Sequence, residues 1–256
     1  MPDRTSAPER TVGDAGRDDA GEPGPGFSLR LLGGFDLRVG DQIVPLPLNA
    51  RRLLALLAVR DRPMSRPIVA ETLWLDITSE RACANLRSTL WKIGPQRDRL
   101  VESLGARLWL APNVDVDLVR IVRHAKRLIG PDPEVRVDAD VDELAADLLP
   151  EWDEEWLTDE REQLRQLRVH ALEALCCRLR QGGRDAEAVC AGQAAVTAEP
   201  LRESAQVVLI NAHLAEGNLF EARRQYEIYR RLLWKNLRIH PSPRVSSLLL
   251  PKQPPG

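Results

Sequence analysis

Lysine is nearly missing from this chain of 256 residues: four Lys stand against 32 Arg. The imbalance points to a GC-rich genome, a bias of codons rather than of mechanism. Cysteine is also sparse. Cys83, Cys176, Cys177 and Cys190 show no zinc-ligand spacing, and the adjacent Cys176 and Cys177 do not suggest a disulfide framework. A reducing cytosol is the expected compartment. The four histidines, His124, His170, His213 and His240, lie on helical stretches or beside proline with no pair at metal spacing. Surface or packing roles are expected of them, and neither a metal nor any other cofactor is expected. No Gly-x-x-x-x-Gly-Lys-Ser/Thr run occurs, so that nucleotide-binding loop is excluded. No apolar run approaches the roughly 20 residues of a membrane span. The polar opening stretch lacks a signal-peptide core. The protein is therefore expected to be cytoplasmic, with no membrane partner. Asp153-Glu154-Glu155 place carboxylates beside Trp152 and Trp156 but without a partnered nucleophile. They read as a cap or a partner surface. Nothing resembles a catalytic constellation, and no enzyme is expected.

Hydrophobic residues make up 43% and charged residues 29%, enough for a sizeable core without disulfide staples. The length suits one large domain or two small ones. The net charge of -2 conceals an asymmetry. Residues 1–26 carry three Arg and six Asp/Glu, with almost nothing apolar, and are expected to be a disordered tail; residues 251–256 form a short tail at the other end. Residues 27–114 carry 13 basic and eight acidic side chains (+5), and residues 115–256 carry 20 and 24 (-4). The middle segment is the basic one, which points toward nucleic acid or else reflects uneven surface charge.

The hydrophobic period changes along the chain. Leu29, Leu31, Phe35, Leu37 and Val39 alternate around Gly33-Gly34, and Ile43-Val44 follows Gly40-Asp41, which predicts short antiparallel strands. Helical spacing then begins. Asn49 is the expected cap of a helix carrying Leu53, Leu54, Leu56 and Leu57; Ser65 caps a second, with Ile68, Val69, Leu73 and Trp74 on one side; Ser79 caps a third that runs to Ile93. Leu100–Ser103 and Arg107–Leu110, around Leu104-Gly105-Ala106, predict a hairpin. From Val116 onward the spacing predicts helices at 118–129, 141–148, 158–181, 185–199, 201–216 and 220–237. The last two resemble a tetratricopeptide unit, with Ala205, Leu209, Ala212, Gly217, Ala222 and Tyr226, and the pair before them repeats it loosely.

Strands, three helices and a hairpin in that order are the plan of a winged helix-turn-helix. On the third helix Ala82, Leu86, Leu90 and Ile93 share the inward face, and Arg81, Asn85, Ser88, Trp91 and Lys92 share the outward one with Ala84. Arg or Lys can pair with guanine and Asn with adenine in a major groove. Arg107, just past the hairpin turn, suits a phosphate or minor-groove contact from a wing. The competing reading is a solvated helix face; the element order, the local +5 and the wing Arg favour DNA.

These residues also carry a family resemblance. Arg51-Arg52-Leu53-Leu54-Ala55-Leu56-Leu57, Ser65-Arg66, Glu71-Thr72-Leu73-Trp74 and Ala84-Asn85-Leu86-Arg87-Ser88-Thr89-Leu90-Trp91-Lys92 resemble the SARP family of actinobacterial transcription activators, whose N-terminal unit is an OmpR-type winged helix. Leu148-Leu149-Pro150-Glu151-Trp152, Trp156, Glu160-Arg161, Glu199-Pro200-Leu201-Arg202-Glu203, Glu221-Ala222, Tyr226 and Pro241-Ser242-Pro243 resemble its bacterial transcriptional activator domain, BTAD. The set spans roughly residues 27–245. Three places depart from the family's pattern. Lys92-Ile93-Gly94-Pro95 replaces a Leu-Arg-Arg continuation, so the third helix is expected to stop early. The wing has Leu108-Trp109 in place of Gly-Tyr. Lys235-Asn236-Leu237-Arg238 replaces Glu-Leu-Gly. The OmpR likeness implies kinship with phosphorelay regulators, although no aspartate-bearing receiver segment precedes the winged helix.

The expectation is thus a mainly α protein with a small β component: a winged helix over residues 27–114, then an all-α, tetratricopeptide-like activator domain over 115–250. The resemblance implies binding to repeats in double-stranded promoter DNA as side-by-side protomers, a homodimer on DNA. It also implies recruitment of RNA polymerase with its sigma factor, and control of a secondary-metabolite (antibiotic) cluster. The alternative is a helical-repeat scaffold whose winged helix binds protein.

Overall fold

The computed structural model describes residues 26–131 and 141–249. The tails expected at 1–26 and 251–256 lie outside the described residues, Gly26 apart.

Alternation of buried Phe27 and Leu29 with Ser28 and Arg30 makes strand β1 (Phe27–Arg30), which pairs antiparallel with β2 (Asp36–Val39); β2 in turn pairs with β3 (Gln42–Ile43). The helix α1 (Leu48–Arg60) then buries every side chain from Leu53 to Ala58. Its N-cap is Pro47 rather than the expected Asn49. The Pro47 carbonyl accepts from Ala50 and Arg51 at 2.9 and 3.0 Å, and proline, having no N–H, adds none of its own to the unpaired donors of a helix start. The two-residue strand β4 (Met64–Ser65) leads into α2 (Arg66–Leu73), with Ser65 at the N-cap and Pro67 in the first turn. Ile68 is 54% exposed, not inward as its spacing suggested. Helix α3 (Ser79–Lys92) starts after Thr78; Ser79 lies within it, its hydroxyl donating to Glu71 at 2.8 Å. Gly94, at φ 75°, ends α3 where the sequence implied. A single turn and α4 (Arg97–Leu100) then lead into β5 (Val101–Leu104) and β6 (Arg107–Leu110), and β6 also pairs with β4.

The next strand, β7 (Val114–Val116), lies parallel to β1, giving the order β3-β2-β1-β7. The expected division at 114/115 therefore passes through a strand. Asp117 follows it at the start of α5 (Asp117–Ile129) and is buried. Its carboxylate accepts the N–H groups of Leu31, Leu32 and Leu118 at 2.7–3.1 Å. Burial holds the Asp117 carboxyl above its ordinary range, against the opposing pull of those three amides.

The remainder is helical: α6 (Val141–Ala145), α7 (Thr158–Gln181), α8 (Asp185–Ala198), α9 (Glu203–Ala215), α10 (Leu219–Leu237) and α11 (Pro243–Ser246). Helices α7 to α10 stack as two hairpins. Gly192 on α8 permits close packing there: a Cβ would stand 3.1 Å from the Leu209 Cα on α9 and 3.3 Å from the Cys176 Sγ on α7. One hydrophobic core runs without a break from Phe27 to Ala212, and a smaller one joins Val207, Ile210, Ala222 and Val245. No described helix is long and apolar enough to cross a membrane.

The two halves are joined closely. Leu32 bridges Leu148, Leu149 N–H donates to the Leu31 carbonyl at 2.9 Å, and Phe35 stacks on Trp152 at 5.7 Å. Arg52 makes a two-pronged ion pair with Glu154 and also donates to the Leu73 carbonyl at 2.7 Å; Trp156 Nε1 donates to the same carboxylate at 2.9 Å. Arg60 pairs with Glu160. Glu154 is therefore an internal clamp, where the sequence had suggested an exposed cap or partner surface.

Candidate nucleic-acid interface

Helix α3 turns Ala82, Leu86, Thr89 and Leu90 inward, with α2 packed against it. A repeat of 3.6 residues puts Trp91, Ala84 and Ser88 at the middle of the opposite face, Arg81, Asn85 and Lys92 along one edge and Arg87 along the other. All of these are exposed, Trp91 to 80%. Among the described residues the side chains of Arg81, Asn85, Arg87, Ser88 and Lys92 make no hydrogen bond or ion pair. The five expected α3 residues thus share one solvent-facing surface with their polar groups uncommitted.

Arg107 opens β6, directly opposite Ser65 of β4 and exposed. The turn before it is a two-residue one, with Gly105 at φ 58°, a conformation glycine adopts without strain. Arg66 N–H donates to the Ala106 carbonyl at 2.8 Å. The hairpin is therefore tied through β4 to the start of α2, which places Arg107 beside Ser65 and Arg66. Sequence reasoning passed over Arg66 and Arg87. Both lie in the stretches that carried the resemblance, and Arg87 is exposed on α3. The arrangement can present guanidinium, ammonium, amide and hydroxyl groups to base edges and phosphates.

No group of His, Cys, Asp and Glu suited to a metal ion occurs among the described residues. Burial pushes the Cys176 thiol up to about 12, and Cys177 upward as well, consistent with packing roles. In the helical half, Tyr229 is also pushed up to about 12, by burial and then by Glu203. That Glu203 carboxylate accepts from the backbone and hydroxyl of Ser242, which ties Pro241-Ser242-Pro243 to the start of α9.

Residues 137–249 match the family described as the bacterial transcriptional activator domain. The matched stretch is less than half of the 256 residues and follows the winged helix. The same fold occurs in the structure of Mycobacterium tuberculosis EmbR in complex with low affinity phosphopeptide, with a TM-score of 0.69 and 20% identity. The similarity covers 87% of this chain and 64% of the EmbR chain, so this protein spans less than two thirds of that one. No match was found among curated proteins. The family match begins at 137, after α5, so β7 and α5 lie between the winged helix and the matched region.

Proposed function

We propose that this protein is a sequence-specific DNA-binding activator of transcription. In this reading residues 27–114 read promoter repeats, with Arg81, Asn85, Ser88, Trp91 and Lys92 in the major groove and Arg107 on phosphate or in the minor groove. Residues 115–250 recruit RNA polymerase with its sigma factor, and protomers sit side by side on the DNA. The genes controlled are those of a secondary-metabolite cluster. The observation that carries the reading is the outward face of α3: its polar groups are exposed and make no internal bond, on a helix whose other face is fully packed. Activation would work by adhesion. Each 1.4 kcal/mol of added contact raises polymerase occupancy about tenfold while occupancy is low. A gel shift on the promoters of the protein's own gene cluster, across a salt series, tests binding. A reconstituted transcription assay tests activation. Specific retardation that outlasts competitor DNA is the expected result. Equal affinity for promoter and random duplex overturns the reading and leaves the winged helix as a protein-binding element of a scaffold.

A further inference from the structure

Charge reverses within the helical half. Residues 115–218 carry 12 basic and 22 acidic side chains, but residues 219–249 carry seven and two. Most of the basic side chains are on α10. Ala222, Tyr229 and Leu233 fix its inward face, and Tyr226 packs toward Val245 of α11. On the opposite face Phe220, Arg224, Arg231, Trp234, Lys235 and Arg238 recur at helical spacing and are all exposed; Glu227 lies among them with its charge met by Arg230 at 2.7 Å, and Arg224 pairs with Glu221 at 3.4 Å. Phe220 is 73% exposed and Trp234 48%. The Arg238 guanidinium lies 5.9 Å from the Trp234 ring centre, and His240 stacks on that ring at 5.2 Å.

A solvated face would account for the cations, which also complement the C-terminal end of the helix dipole. It does not account for the apolar groups. Fourteen large hydrophobic side chains are exposed among the described residues, and six of them fall between 219 and 239. In stacked helix hairpins each pair buries its outer face against the next. Here α8 is covered by α9, whereas α10 is covered by α9 on one side and only partly by the short α11.

We infer that the outward face of α10 docks an acidic amphipathic helix of a partner protein. Phe220 and Trp234 are 14 positions apart, about 21 Å along the helix axis at 1.5 Å per residue. A docked helix of similar length reaches both, and its Glu and Asp side chains meet Arg224, Arg231, Lys235 and Arg238. Double-stranded DNA is a poorer occupant: the adjoining region of net charge -10 repels an extended polyanion, whereas a single short helix touches the basic face alone. This surface shares no residue with the proposed DNA interface, and the inference holds whether or not α3 reads DNA.

The test uses the full chain and a fluorescein-labelled helical peptide of about 20 residues, with Leu at i, i+3, i+4 and i+7 and Glu elsewhere. A second peptide has Lys in place of every Glu. Anisotropy should show binding of the Glu peptide, weaker at higher salt, and none of the Lys peptide. Phe220→Ala with Trp234→Ala should lower affinity by about tenfold or more, and so should Arg231→Glu with Lys235→Glu and Arg238→Glu. Thermal melts of both variants should match the parent, since the altered side chains are exposed. Absence of binding, equal binding of the Lys peptide, or variants that bind as the parent does would each overturn the inference. If the same substitutions instead abolish self-association in sedimentation, or binding to a random duplex, while the peptide does not bind, the occupant is a second copy or DNA, and the inference is equally overturned.

Discussion

Asn85 and Arg107 are both exposed, but one stands on α3 and the other on the hairpin, and their substitutions should differ accordingly. Asn85 stands on α3 with its amide uncommitted. Asn85→Ala should weaken specific binding by about 1–3 kcal/mol and leave random duplex nearly unaffected. Arg107 stands on the wing beside Arg66. Arg107→Ala should weaken binding to all sequences alike and flatten the salt dependence by about one unit. Gel shifts on matched and random duplex decide both. An equal loss on the two duplexes removes Asn85 from base reading, and an unchanged salt slope removes the wing from DNA. The thiols give a third expectation. Cys190 is exposed, whereas Cys176 is buried with its thiol pushed up to about 12. At pH 8 iodoacetamide should label Cys190 in the folded chain and spare Cys176 until denaturant is added. The sign of the linkage follows. An unfolded chain releases this proton near the ordinary thiol range, so the contribution of Cys176 is intact below about pH 8.5 and declines as pH rises above it. Rapid labelling of Cys176 in the native chain would contradict its burial.

Among the elements, α8 holds the tightest contact. Gly192→Ala gains about 1 kcal/mol of helix propensity. The new methyl, however, stands 3.1 Å from the Leu209 Cα, and overpacking typically costs about 1–3 kcal/mol. Because the neighbour is backbone of a packed helix, a net loss is expected, read as a lower denaturant midpoint; an unchanged or higher midpoint would show that α9 yields. Other elements show what the sequence could and could not convey. Helix α7 was legible to its ends, because apolar spacing runs from Thr158 until Gly182-Gly183 breaks it. The hairpin β5–β6 was legible because its two strands flank their own turn. Strand β7 was not: three residues, Val-Asp-Val, have no period to read, and their partner β1 lies 87 positions away. The outward face of α3 was legible from spacing alone, but the attachment of the wing to α2 was not, since it rests on backbone pairing of the two-residue β4. Glu154 was misread for a similar reason. A carboxylate among acidic neighbours looks exposed until Arg52, 102 positions earlier, is found against it. An Arg preceding an apolar run was the available signal, because a charge drawn partly into a core needs a counter-charge.

At the scale of the whole molecule, the winged helix and the helical half share one core and several polar ties. A chain cut after residue 114 loses most of β7 and all of Asp117. The Leu31 and Leu32 amides would then be left without their carboxylate, at about 1–3 kcal/mol each if they stay buried. A fragment of residues 1–114 should therefore melt far below the full chain, or without a cooperative transition, in calorimetry. A sharp transition at the parental temperature would show the winged helix to be self-sufficient. The order in which the chain leaves the ribosome adds a consequence of the same pairing. Strand β1 is among the first segments made, yet its parallel neighbour is complete only at Val116 and the Leu148 bridge only later still. The winged helix therefore cannot complete its sheet while its own residues alone have emerged. Its closure waits on synthesis of the helical half, so an mRNA truncated between the two should yield no stable winged-helix fragment.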